Sequence, residues 1–405
     1  MRVCTTGIVI FVALTALAEA GPVDPAPPET LSQQLAESYA AVLTRCVGGK
    51  SADPKKRFAK FEITKIVKDP SNSLKKGGHI VVADYPTDKI GELFLLMGGK
   101  TDSGIRWQEI GFRGQSSPLH VNQATFKYIV DAPPPTLAVQ RRLEYFVRFL
   151  ESNERLIAED AYDEFAKVPF KKLISLARRL PREKLRAWLF DGKAPRHRRG
   201  LYGSMLGLCG NAEDAKRMET EIVKNSTDSR AGLCGVMCGY LLLTGEKGLR
   251  VLERAKLKKG IVFAESYCAI YAVRFMRAEA PDRITRPRLN ESMRLVLDLP
   301  ELADLAIRDL ERWKDWSIQD RLMKLYGVKP YHEVWFKRAI IRYMFAAAND
   351  ESNSKSTPIP VHVSRGKKYL AALEKKDPEL VEKLTKFLKS EKARNSIEKK
   401  KTSKH

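Results

Sequence analysis

Few residue pairs in this chain have the types and spacing that chemistry needs. His332-Glu333 opens as a zinc-protease helix does, where two histidines four apart bind the metal and the glutamate acts as base. Phe336 stands where the second histidine belongs, so the ligand set is incomplete. Cys234 and Cys238 are also four apart, on one face of a helix, but no further Cys or His follows at ligand spacing. With Cys46, Cys209 and Cys268 they read as packing thiols, because unpaired cysteine is among the most buried residue types. No Gly-x-Ser-x-Gly elbow, phosphate loop or Gly-x-Gly-x-x-Gly turn occurs after a strand-like run. The expectation is a protein without metal, cofactor or catalytic group.

Two other groups are candidates for binding. Arg178, Arg179 and Arg182 are followed closely by Lys193, Arg196, Arg198 and Arg199. Brought onto one ridge by inter-helix turns, they would hold an anion. Trp313 and Trp316 form the second group; exposed, they would stack on sugars or on a partner's aromatic side chains, and buried, they would be core. Leucines 302, 305, 310 and 322 lie at matching helical spacing and favour the core.

The whole chain carries 72 Lys+Arg against 49 Asp+Glu, a formal charge of +23. Such a field draws acidic partners, either acidic polymers or acidic proteins. The first residues assign a compartment. Arg2 precedes the apolar run Gly7 to Leu17, and Ala18-Glu19-Ala20 reads as a small-x-small cleavage site. Residues 1–20 are therefore expected to be a signal peptide, placing the protein in the periplasm or outside the cell. Export argues against nucleic acid as a partner. The best later candidate for a span, Leu233 to Leu243, is short and flanked by Arg230 and Glu246, so no membrane span is expected. Nothing in the sequence fixes an oligomeric state.

The positioning elements follow from texture. Residues 21–39 begin as a proline-rich tether, and a short helix is expected from Leu31 to Leu43. Residues 40–131 contain a small β domain: Phe58 to Val67, His79 to Ala83 and Glu92 to Met97 are β-branched and aromatic runs between Gly/Pro/Asp turns. From Asn122 apolar residues recur at three- and four-residue steps, with Pro or Gly breaks every helix length. Residues 132–348 therefore read as a helical-repeat domain. Arg198, Gly200, Leu201, Gly203, Met205 and Gly207 recur thirty-two positions later as Arg230, Gly232, Leu233, Gly235, Met237 and Gly239. Glycine inside a helix costs about 1 kcal/mol against alanine, so these glycines predict helix backbones in close contact. Residues 349–366 read as a linker, 367–390 as C-terminal helices and 391–405 as a disordered basic tail.

The segment Ala158 to Ala166 is similar to one helix of a HEAT unit. Phe61-Glu62-Ile63 leading to Ile66-Val67, then Lys76-Gly77 with Ile80-Val81-Val82, then Gly91 to Leu96, resembles netrin-like and OB-type barrels of secreted proteins. Cys46 stands alone, without the disulfides and terminal cysteine of netrin-like protease inhibitors, so inhibition is not implied. Over most of its length the chain resembles a group of secreted planctomycete proteins. The residues that carry this likeness are Phe126 to Pro133, the repeat glycines and Asp309 to Met323. That likeness implies a signal peptide, a small β domain and helical repeats, and no activity. The combined expectation is an α+β chain, mainly α: a HEAT-like α-solenoid preceded by an OB- or netrin-like barrel or sandwich. It would serve as an exported interaction protein; the alternative is an envelope hydrolase with its site between the two parts.

Overall fold

The computed structural model describes residues 29–49, 58–85, 87–107, 111–112, 115–192, 194–224, 230–350 and 359–402. The expected signal peptide and Lys193 lie outside them. Two units pack separately, Met1–Pro181 and Arg182–His405. The architecture is mainly helical, with a small curled antiparallel sheet near the N-terminus.

In the first unit, helix α1 (Leu31–Glu37) precedes strands β1 (Ala40–Gly48), β2 (Phe58–Lys68), β3 (His79–Ala83), β4 (Leu93–Thr101) and β5 (Gly104–Arg106). Three short strands follow: β6 (Gly111–Phe112), β7 (Gln115–Ser116) and β8 (Leu119–Val121). The main sheet runs β3-β2-β1-β4-β5, with β8 also pairing β4. The small β domain expected from the sequence is a curled antiparallel sheet. Register shifts at Ala41/Val42, Leu43/Thr44 and Cys46/Gly48 bend β1 against β2, as bulges do. The curl encloses Val42, Cys46, Phe61, Ile80, Phe94 and their neighbours, with Phe61 and Phe94 edge to face at 5.2 Å. Strand β1 overturns the expected helix through Leu43. Residues Ala40 to Leu43 are buried on both faces, and a central strand so covered loses the alternation that would mark it.

Asn122 caps α2 (Gln123–Asp131), its Oδ1 accepting from the Thr125 amide at 2.8 Å. Helices α3 (Val139–Phe146), α4 (Arg155–Ala166) and α5 (Phe170–Ile174) complete the unit. Helix α4 buries an acidic face of Asp160, Asp163 and Glu164, and α1 is bound to it. The Leu31 amide donates to Asp160 Oδ1 at 2.7 Å and Ser32 Oγ donates to Glu164 Oε1 at 2.5 Å. Tyr128 Oη donates to the second Asp160 oxygen at 2.6 Å, and Arg142 pairs with Glu164.

The second unit comprises α6 (Arg182–Phe190), α7 (Arg199–Cys209), α8 (Ala212–Val223), α9 (Leu233–Thr244), α10 (Glu246–Lys256) and α11 (Phe263–Glu279). It continues through α12 (Arg286–Leu295), α13 (Ala303–Arg312), α14 (Gln319–Leu325), α15 (Val334–Ala348), α16 (Val361–Lys376) and α17 (Pro378–Thr402). Alternate helices meet: α7 packs on α9, α9 on α11, α13 on α15, and likewise α8 on α10 and α10 on α12. Helix α9 is buried nearly all round, which explains its membrane-like composition; no described helix is long and apolar enough to cross a membrane. The repeat glycines face each other across α7 and α9. A Cβ on Gly235 would lie 2.0 Å from the Gly200 carbonyl oxygen, and one on Gly239 2.0 Å from that of Gly203. Helix α17 continues to Thr402, through the segment expected to be disordered; its Lys/Glu-rich composition suits a helix.

Cys234 and Cys268 form a disulfide joining α9 to α11, so these two depart from the expectation of mostly packing thiols that the other three cysteines meet. The 34-residue separation, not the four-residue one, marks the bonded pair. Cys46 and Cys238 are buried thiols as expected, and Cys209 is half-buried.

Candidate functional site

The basic residues singled out by sequence take different jobs. Arg178 and Arg179 occupy a turn of the first unit. Arg178 is exposed with no ion pair among the described residues, and Arg179 pairs with Glu144. In the second unit Arg182 and Arg186 hold the buried Asp214, at 3.2 Å and 2.6 Å. Burial pushes that carboxyl up, but the hydrogen bonds from Arg186 and the Asn211 amide, with both guanidinium charges, leave it below its ordinary range. Arg198 is buried and Arg199 faces Glu221 at 3.8 Å. Arg196 alone of this second group is exposed without an ion pair among the described residues.

The same division of labour runs along the unit. Arg230 and Lys256 both donate to the buried Glu265, at 2.7 Å and 2.5 Å. Arg274 donates to Asp309 at 2.6 Å, and Arg288 holds Glu253 with two bonds of 2.7 Å. Three of these pairs, Arg230–Glu265, Glu253–Arg288 and Arg274–Asp309, share one separation of 35 residues. Breaking such a pair by removing one partner costs about 3–5 kcal/mol. The acidic residues are therefore largely ties between helices.

Trp313 and Trp316 lie on the turn after α13, both half-buried. The Arg277 guanidinium covers the Trp313 ring at 4.5 Å. Trp316 stacks on His362 and meets Tyr343 edge to face. Its Nε1 donates to Asp350 Oδ2 at 2.9 Å, while Lys314 Nζ takes the other oxygen at 2.9 Å. His362 Nε2 is 3.1 Å from Asp350. The two tryptophans thus share a polar cluster that binds the start of α16 to the turn. One edge of Trp316 lines a cavity of about 490 Å³ with Arg312, Arg342, Phe345 and Glu311. Burial pushes the Glu311 carboxyl up despite the charge of Arg342.

Sequence reasoning passed over a second cavity, of about 530 Å³. It opens along the turns before α11, α13 and α15, where Phe263 and Trp335 are 49% and 56% exposed. Each aromatic lies in the first two positions of its helix. The available signal was an aromatic following a Pro- or Gly-containing turn, outside the buried stripe of its own helix. No protein-family model, curated protein or solved structure matches this chain.

Proposed function

We propose that this is an exported, non-catalytic interaction protein. Its helical unit is an array of HEAT-like helix pairs, accompanied by an OB- or netrin-type β module, and it binds an acidic polymer or acidic protein. The observation that carries this reading is the use of charge. Buried acids are held by cations of neighbouring helices, while Lys184, Arg196, Lys258, Lys259 and Lys329 are exposed without ion pairs among the described residues. The surplus of a +23 chain therefore faces outward. The common 35-residue separation of three ties supports repetition beyond the glycine copies. The apolar run Gly7 to Leu17 and the likeness to secreted planctomycete proteins support export.

Binding to immobilised polyglutamate tests the reading. Affinity should fall steeply with salt as counterion release is suppressed, screening shortening the field to about 8 Å at physiological strength. A Lys258→Gln/Lys259→Gln/Lys329→Gln variant should lose more than a variant with Lys399, Lys400 and Lys401 changed to Gln. Equal losses would move the surface off the helical turns, and no binding by the parent at low salt would leave the charge as a solubility feature.

A second reading, a hydrolase, is favoured by one observation: the His362–Asp350 contact beside the cavity that Glu311 lines. Asp350 also accepts from Trp316 and Lys314, and Trp316 covers one face of His362, an arrangement that suits anchoring better than proton transfer. Hydrolysis of an ester or glycoside substrate that disappears in Asp350→Asn, with the fold intact, would reverse that preference.

A further inference from the structure

We infer that the groove along the turns before α11, α13 and α15 docks an extended acidic polypeptide segment, one carrying an aromatic or large aliphatic side chain beside its carboxylates. This rests on the reading that the helical unit binds an acidic partner, and it names the site and the class of that partner.

The groove is made by three inter-helix turns, and its floor is apolar. Leu302 and Phe336 are buried at its base, and Tyr331 packs on Phe336 with ring centroids 4.8 Å apart. Its rim is unusual for a protein surface. Phe263 and Trp335 expose about half of their area, and the adjacent Val262 and Val334 are 44% and 49% exposed. Single exposed apolar residues are normal, but a contiguous group marks an interaction site. Phe263 stacks on Tyr267 one helical turn later, at an interplanar angle of 12°, so its ring is held in place. Tryptophan in such a setting is a common hot spot.

The polar groups distinguish a polypeptide from a glycan. Two hydroxyls line the groove, and both donate inward: Tyr331 Oη to the Leu297 carbonyl at 2.9 Å and Ser266 Oγ to that of Lys256 at 2.7 Å. A sugar, whose recognition needs several convergent donors and acceptors, would meet few. Carboxylates fare better. Lys258 and Lys259 line the groove, exposed and without ion pairs among the described residues. Lys329 adjoins the lining residue Pro330 and is likewise unpaired. Glu301 and Glu333 lie on the later turns, Glu333 beside His332 at 3.4 Å. Positive charge on the first turn against Glu301 on the second, with Lys329 and Glu333 offsetting each other on the third, gives the groove polarity. An entering segment would place its carboxylates against Lys258 and Lys259 and keep them from Glu301, which fixes direction. An extended chain suits this geometry because alternate side chains project to opposite sides. One face can seat an aromatic group between Phe263 and Trp335 while the backbone stays at the rim.

The test uses the full chain with three soluble probes: polyglutamate, a Glu/Tyr copolymer of matched length, and sulfated dextran. Titration at low salt should show the copolymer binding about tenfold more tightly than polyglutamate. In Phe263→Ala/Trp335→Ala that advantage should vanish while polyglutamate affinity is unchanged. If this variant melts at a lower temperature than the parent, Lys258→Gln/Lys259→Gln replaces it. That variant should weaken copolymer binding more than Lys383→Gln/Lys386→Gln on α17 does. Equal parent affinities for the two polypeptides, untouched by the aromatic variant, would overturn the groove while leaving the acidic-partner reading intact. Failure of every probe to bind at low salt would overturn both. Sulfated dextran binding that needs Phe263 and Trp335 would replace the polypeptide with a glycan.

Discussion

Replacing Gly239 with alanine tests the packing that the repeat implies. On an isolated helix the change should stabilise by about 1 kcal/mol, because alanine loses less chain entropy than glycine. Here the added Cβ would lie 2.0 Å from the Gly203 carbonyl oxygen. Ordinary van der Waals contact begins near 3.4 Å, so α7 and α9 would have to part by an ångström or more. The obstacle is backbone on an adjacent helix, so no rotamer change relieves it. Overpacking a core typically costs about 1–3 kcal/mol, and parting these helices also loosens the buried Met205, Val236 and Met237. A net loss of about 2 kcal/mol is expected, read as a lower denaturant midpoint with unchanged slope. Gly235→Ala meets the Gly200 carbonyl in the same way. Once one Cβ has parted the helices the second finds room, so the double variant should cost clearly less than the sum of the singles. A stabilised Gly239→Ala protein, or strict additivity, would refute the close-contact account.

Three further outcomes are expected. Loss of the Cys234–Cys268 bond frees a 34-residue loop in the unfolded chain, worth about 4 kcal/mol by the loop-entropy relation; Cys234→Ala/Cys268→Ala should melt well below the parent, and a reductant should lower the parent but not the variant. Burial raises the Asp160 carboxyl to about 7, above its unfolded value of about 3.9. The folded state therefore holds the extra proton, and the Asp160 contribution to stability should decline as pH rises from about 4 to 7; comparing urea midpoints of parent and Asp160→Asn across that range should show a shallower decline in the variant. Material exported from a host should begin at Gly21, and N-terminal sequencing that finds Met1 would remove the export reading.

Much of the fold was legible because local pattern and burial agree. Strands β2, β3 and β4 alternate or run apolar between turn residues, and the helical steps that begin at Asn122 announce α2. The failures share a cause. Ala40 to Leu43 are covered on both faces, so nothing in their order distinguishes strand from helix. The Cys234–Cys268 bond joins residues from successive helices and leaves no local trace, whereas Cys234 and Cys238 drew notice because they are neighbours on one helix. The arginines near Arg198 looked like a ridge because sequence shows the cations but not the partners. Asp214, which holds Arg182 and Arg186, and Glu221, which faces Arg199, lie on α8 at least 22 residues beyond their partners. Helical spacing favoured a core position for Trp316, whereas it is half-buried, because its partners His362 and Asp350 come from beyond the end of α15.

The groove escaped notice for a different reason, and that reason bears on how it works. Amphipathic reasoning asks which residues of a helix face the core, and Phe263 and Trp335 sit at helix starts, where the stripe has not yet formed. Their exposure is nonetheless held by a stiff backing. Glu265, two residues after Phe263, is bound by Arg230 and Lys256, and Ser266 is bonded to the Lys256 carbonyl. Cys268, in the second turn of the same helix, is bonded to Cys234 on α9. The first two turns of α11 are thus fixed to α9, to α10 and to Arg230 just before α9 by an ion triad, a hydrogen bond and a covalent bond. A surface held so firmly loses little freedom when a partner settles on it, so more of the contact energy remains as affinity. Stabilising ties behind the groove and apolar exposure at its mouth are the two halves of a preformed site.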